Sequence, residues 1–416
     1  MTAARDGRVV AATSDTIVVS LPDARVGERV TVVARDGASV MATVTRVDRD
    51  AVRLAAFGPL DGIGSGDRVR AESGRDRLAL GVEFLGRAID AGGRVIDGRT
   101  TPRGRPSPIA PAPIETADRR PIAQPFWTGV RTIDGLLTLG RGARIGVFGA
   151  PGAGKSTLLE ALVRSSSADA VVVGLIGERG REAAAWLEHI ERHATLVIVP
   201  SDRPAAERMR GAKVAVAQAC ALRARGLSVL LVLDSLARFC AAARELAIAS
   251  GEAVGRGGYP PSVFNALARL VERAGNAGNG SITMVATVLS DGADEREPVS
   301  DAARSLLDGH IALSPALARQ GHYPAIDVLS SVSRTMNEVV SKEHASGARA
   351  FRAALAKLDE TRDARELGMQ QRSPELDRIL AVEADAISFL RQGAEPSSSR
   401  ETLDSLARLS ERLRAS

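Results

Sequence analysis

The chain has 416 residues, with 55 Lys+Arg against 50 Asp+Glu for a net charge of +5; its 44% hydrophobic and 25% charged content suits a soluble protein of two to three domains at roughly 100–200 residues each. Two cysteines, Cys220 and Cys240, cannot build a disulfide framework, no CxxC pair suggests zinc, no run of about 18 apolar residues offers a membrane span, and the first fifteen residues lack a signal peptide's apolar core. Basic residues interleave with acids and form no run, so charge does not point to nucleic acid, and a cytoplasmic protein is expected.

Residues 1–85 carry short Val-rich runs at 8–10, 16–20, 28–34, 41–47 and 51–55, with Gly and Asp between them. Such spacing predicts a small β-barrel. An oligonucleotide-binding barrel would expose aromatics for stacking, whereas only Phe57 occurs before Phe84, which favours a structural or oligomerisation barrel. Residues 86–127 are a proline-rich connector, with seven of the 19 prolines between Pro102 and Pro125. That density excludes a regular helix or central strand and leaves an ordered crossover or a flexible linker.

Residues 128–344 alternate apolar runs at 144–148, 170–176, 195–199, 228–233, 281–287 and 326–329 with helical stretches. The alternation predicts an α/β domain whose mostly parallel sheet has helices on both faces. Residues 345–416 read as a helical domain. Leu376, Ile379, Leu380, Ile387 and Leu390 mark one face, and Ser398 with Glu401 forms a capping box before Leu403, Leu406 and Leu413.

The chemistry begins at Gly149-Ala150-Pro151-Gly152-Ala153-Gly154-Lys155-Ser156, followed by Thr157, which fits G-x-x-x-x-G-K-[ST] at every fixed position. A strand precedes it and a helix follows. Glycines let the backbone turn its N–H groups toward phosphate oxygens, and the helix N-terminus adds positive dipole. Lys155 would reach the β- and γ-phosphates and Ser156 would ligate Mg²⁺. The chain holds only four lysines, at 155, 213, 342 and 357, so a lysine here stands out from an arginine-rich background. The alternative is a chance glycine-rich turn.

Val229–Leu233 is an apolar run ending in Asp234, which a parallel sheet places at a strand's C-terminal edge. Asp234 would hold Mg²⁺, through water, unless it merely caps the next helix. The 170–176 run leads to Gly177-Glu178-Arg179-Gly180-Arg181-Glu182. Glu178 could polarise an attacking water and Arg179 could steady phosphate charge. The alternative is a charged surface turn.

These segments resemble the rotary-type hexameric ATPases, as do Leu233-Asp234-Ser235-Leu236-Ala237-Arg238-Phe239 and Pro324-Ala325-Ile326-Asp327-Val328-Leu329-Ser330-Ser331-Val332-Ser333. Within that superfamily, Gly258-Tyr259-Pro260-Pro261-Ser262-Val263-Phe264, Leu270–Asn276, Asp308-Gly309-His310-Ile311 and Gly321–Leu329 resemble the protein-export ATPases of type III secretion and the flagellum. The resemblance implies a RecA-like P-loop core, ATP and Mg²⁺ as cofactors, and a homo-hexamer with each ATP between two subunits. It makes Arg334 an arginine finger given to a neighbour and places Tyr323 near adenine, where an ordinary core tyrosine is the alternative. It further implies a cytoplasmic motor peripheral to the inner membrane. Such a motor acts at an export gate with a stator-like regulator and a central stalk protein, and it releases chaperones from substrates and unfolds them.

Departures from the family pattern fall at Gly251–Arg256, Ser290–Glu297, Gly368–Pro374 and a short N-terminal extension, and they bear on regulator and substrate contacts. Two rivals share the core. A rotary ATP synthase catalytic subunit would carry an acidic C-terminal lever motif, and a Rho-like RNA translocase would carry an aromatic-bearing barrel.

Overall fold

Alternation along the strands of the first seventy residues decides where most of their side chains go. In the strands Arg29–Val33 and Ser39–Val47, Val30, Val32, Val40, Ala42 and Val44 are buried while the residues between them face outward. Together with Asp6–Ala12, Ile17–Ser20, Val52–Ala56 and Arg68–Ala71 they close an antiparallel six-stranded barrel around this apolar set. The Arg68–Ala71 strand lies outside the Val-rich runs, because two outward arginines leave Val69 and Ala71 as its only core contributions. It completes the barrel by pairing with both Asp6–Ala12 and Arg29–Val33. Phe57 lies beneath the guanidinium of Arg210, 4.9 Å from it.

The computed structural model describes residues 5–13, 16–72, 76–289, 297–367 and 373–414. They form two compact units. The first comprises Met1–Ile114, Val172–Leu222 and Leu233–Arg273; the second comprises Glu115–Val171, Arg223–Val232 and Ala274–Ser416. The departures at Ser290–Glu297 and Gly368–Pro374 lie largely outside the described residues.

In the first unit the connector starts as ordered chain. Arg87–Ile89 adds a parallel edge strand to Ala194–Pro200. Asp97 fastens this segment: its carboxylate accepts from Arg87 Nε and Nη2 at 2.8 and 3.0 Å and from the Ala88 amide at 3.0 Å. The proline-rich part carries only two- to four-residue ladder pieces such as Arg105–Pro108, as expected where prolines remove donors. The connector's first part is therefore an ordered crossover. Burial alone would raise the Asp97 pKa, but Arg87, the Ala88 amide and Arg99 hold it well below the ordinary 3.8. A carboxyl whose folded-state value is depressed stabilises the fold fully above 3.8, and this contribution is lost as pH falls through the folded value. Asp97→Asn is expected to cost about 3 kcal/mol or more at neutral pH by leaving Arg87 buried without its counter-charge. Urea unfolding followed by circular dichroism checks this, and the gap between the two proteins should narrow below pH 3.8.

In the second unit Arg144–Gly149 runs parallel to Gly280–Leu289 on one side and to Gly309–Leu313 on the other. Ile326–Ser333 closes the edge antiparallel to Gly309–Leu313. The Gly309–Leu313 strand is absent from the runs predicted above, since Gly309 and His310 interrupt its apolar pattern. Ile326–Ser333 extends four residues beyond the predicted 326–329 run; its outward residues Ser330 and Val332 are exposed, as an edge strand allows. Two strands, Ala170–Glu178 and Ser228–Asp234, begin in this unit and end in the first. They are apolar on both faces, as strands covered on both sides must be.

The second unit ends in helices Lys342–Glu360, Pro374–Leu390 and Ser399–Arg414. They pack on the short helix Arg131–Leu136, where a Cβ on Gly135 would meet Phe389 at 2.8 Å and His344 Nε2 bonds the Gly135 carbonyl at 2.8 Å. The capping box forms as predicted, Ser398 Oγ donating to Glu401 at 2.8 Å and accepting from the Glu401 amide at 3.2 Å. The predicted face of Pro374–Leu390 needs a correction: Ile387 is exposed at 38%. Leu376, Ile379 and Leu390 are buried as predicted, but Val382, Ala386 and Phe389 join them, so the packed face is turned toward Phe389 and leaves Ile387 at its rim.

Candidate active site

The P-loop belongs to the second unit. The strand Arg144–Gly149 ends at Gly149, and the helix Lys155–Ser165 starts at Lys155. Between them Gly152 and Gly154 adopt φ of 80° and 86°, a region that side chains disfavour. Lys155 Nζ donates to the Gly149 carbonyl at 2.6 Å and the Ala150 carbonyl at 3.2 Å, so its ammonium sits across the loop's concave side. The helix's first amides have no intrahelical partner, which makes this turn an anion seat. Ser156 and Thr157 are exposed on the first turn, while Leu158 and Leu159 anchor the helix in the core. Tyr323 is 43% exposed and is not a core residue; a Cβ on Gly154 would touch its ring at 3.4 Å. The Tyr323 carbonyl accepts from the Gln392 amide at 2.9 Å, which ties this loop to the helical domain.

The acidic residues belong to the first unit. Glu178 is the last residue of its strand and is 6% exposed, so it is not a surface turn. One carboxylate oxygen, Oε1, pairs with Arg238, and the other, Oε2, is buried without a hydrogen-bond partner. Arg238 belongs to the Leu233–Phe239 motif, whose spacing alone gives it no role. Its role becomes visible when helix Leu236–Ala249 points it back at the neighbouring strand's end. Asp234 ends its own strand. Ser235, not Asp234, caps that helix, its side chain accepting from the Arg238 amide at 3.2 Å. Arg179 is the N-cap residue just before the helix Gly180–Glu188, and its 82% exposed side chain reaches Glu182 at 3.9 Å.

Arg334 lies at the other end of the second unit's sheet from the P-loop. Its amide donates to the Asp308 carbonyl at 2.9 Å, and Asp308 is level with Arg144, where the P-loop strand begins. Five residues separate Arg144 from Gly149, or about 16 Å at about 3.3 Å per residue. That exceeds the reach of an arginine side chain. The guanidinium is exposed and has no carboxylate partner among the described residues. Asp327 does not pair with it, because its oxygens accept from the Leu329 and Ser330 amides and the Ser330 hydroxyl. Burial, and secondarily the nearby Arg304 and Arg334, hold the His310 imidazole below its usual range.

A glycine-turned loop between a parallel strand and a helix, together with carboxylates that end apolar strands and an N-terminal six-stranded barrel in the same chain, defines a RecA-like P-loop ATPase. The ATP synthase alpha/beta family's nucleotide-binding domain matches residues 129–333 and its beta-barrel domain matches 9–72. The T3SS EscN ATPase C-terminal domain matches residues 340–409. The chain is 42% identical to the type 3 secretion system ATPase of Pseudomonas savastanoi pv. phaseolicola, over 98% of its own length and 94% of that protein. It is 41% identical to the flagellum-specific ATP synthase of Pseudomonas aeruginosa, over 95% and 90%. The solved structure of assembled EscN from enteropathogenic E. coli matches with a TM-score of 0.92 at 37% identity, covering 97% of this chain and 100% of that one. EscN in complex with its central stalk EscO matches at 0.90. The chain belongs to the type III secretion and flagellar protein-export ATPases.

Proposed function

We propose that this chain is the ATP-hydrolysing motor of a type III export apparatus and works as a homo-hexamer. The observation that carries this reading is the separation of Arg334 from its own P-loop, which supports a cation offered to a neighbouring subunit. Gly149–Lys155 would cradle the phosphates of ATP, with Ser156 and Asp234 holding Mg²⁺ and Tyr323 beside the base. The donors fit that ion, a hydroxyl and a carboxylate being hard oxygen ligands. Bound Mg²⁺ would neutralise developing phosphate charge. Glu178 Oε2 would accept a proton from the attacking water while Arg238 holds the carboxylate in place, and Arg179 supplies a cation one residue on.

EscN is solved in complex with its central stalk EscO. By extension, we assign this chain a central stalk protein, a stator-like regulator, an export gate and chaperone–substrate complexes, at the cytoplasmic side of the inner membrane. No described helix is long and apolar enough to cross a membrane. The cover of Arg210 over Phe57 supports a barrel that does not stack bases.

The test is Glu178→Gln, which keeps shape but not basicity. Turnover is expected to fall by about 10²–10⁴-fold, with binding of a fluorescent ATP analogue retained. Loss of binding together with turnover would make Glu178 a structural residue.

A further inference from the structure

We infer that Asp308, Ser333 and Thr335 are positioning residues that hold Arg334 as a rigid finger aimed out of its own subunit. The inference rests on the in-trans role just proposed for Arg334. The two residues flanking Arg334 are both tied inward: Ser333 Oγ donates to the Thr138 carbonyl at 2.8 Å, and Thr335 Oγ1 accepts from the Gly140 amide at 3.0 Å. Thr335 is 6% exposed, and a Cβ on Gly140 would lie 3.2 Å from its Cβ, so that contact admits little movement. A third tie comes through Asp308, whose carbonyl takes the Arg334 amide. Asp308 is itself clamped to Arg144, its amide donating to the Arg144 carbonyl at 2.7 Å and its carboxylate accepting from the Arg144 amide and Nε at 2.9 and 3.1 Å.

The backbone of residue 334 is thus fixed on three sides to the start of the P-loop strand and the turn before it, while its side chain is exposed and has no carboxylate partner among the described residues. A cation serving only solubility needs no such footing. One that must meet a transition state does, since groups at a reacting centre have to be held by their supporting shell. The same anchors tie the finger to the strand whose other end is this subunit's P-loop, so movement of that strand in one subunit would carry the finger offered to the next.

The experiment uses the full-length protein and measures single-turnover ATP hydrolysis, which needs only one competent interface. Thr335→Val, which removes the hydroxyl but keeps the shape, and Asp308→Asn, which removes the charge facing Arg144, are each expected to slow hydrolysis by about 10²-fold, the cost of a misplacement of about 1 Å. Thr335→Ser should restore most of the rate, and ATP-analogue affinity should be unchanged in all three. Each slow variant is then mixed with Lys155→Ala protein, whose own P-loop is dead but whose finger is intact. Activity should recover, because the variants' sound P-loops now meet sound fingers. Mixed with Arg334→Ala protein, it should stay low, because both partners fail on the finger side. If Thr335→Val and Asp308→Asn fail to recover with Lys155→Ala while Arg334→Ala does recover with it, their defect is not on the finger and the positioning role is overturned. Failure of the Arg334→Ala and Lys155→Ala pair itself, with co-assembly verified by mass spectrometry, overturns the in-trans reading and this inference with it.

Discussion

Arg334→Ala is expected to lower ATP turnover by about 10³–10⁵-fold, the range seen when an arginine finger is removed from a phosphoryl-transfer site. The size follows from what the residue alone can supply. Phosphoryl transfer spreads negative charge over oxygens that Lys155 and a metal ion do not all reach, and a guanidinium brings several fixed donors and a permanent charge. Nucleotide binding should change far less, since the P-loop is intact in every subunit. The rate of the unaltered protein should rise steeply with concentration as rings form. The decisive measurement is a mixture of Glu178→Gln and Arg334→Ala proteins. Each alone is nearly inactive, but rings containing both present some interfaces with an intact Glu178 facing an intact Arg334, so the mixture should exceed either component. Equal activity in a mixture whose subunits have exchanged would place Arg334 in a role within its own subunit.

Lys155→Ala is expected to abolish turnover and to weaken ATP-analogue binding together, unlike either substitution above. The ammonium already sits across the loop's concavity, 2.6 Å from the Gly149 carbonyl, where phosphate oxygens would replace carbonyl oxygens as its partners. Without it, the bound phosphates lose their nearest full positive charge. Phosphate release and fluorescent-analogue titration check both effects, and normal turnover in the variant would remove the P-loop from the mechanism.

What sequence alone determined was chemistry carried by contiguous residues. Gly149–Ser156 makes its site from its own backbone, so its motif is complete in eight positions. Valine alternation makes a barrel because period two is a property of any strand, and Ser398 with Glu401 caps a helix across three residues. Tertiary structure decided what depends on distant segments meeting. The pairing of Arg238 with Glu178 joins residues sixty apart, and the place of Arg334 at the far end of the sheet from the P-loop follows from the antiparallel register of Ile326–Ser333 against Gly309–Leu313. The same holds for the strands missing from the prediction. Arg68–Ala71 and Gly309–Leu313 are too short or too polar to announce themselves, and they form because a barrel and a sheet each had an edge for them to pair with. Ile387 shows the limit from the other side: its spacing suits a buried face, but the helix turned to seat Phe389 against Gly135, because close packing rewards the larger ring.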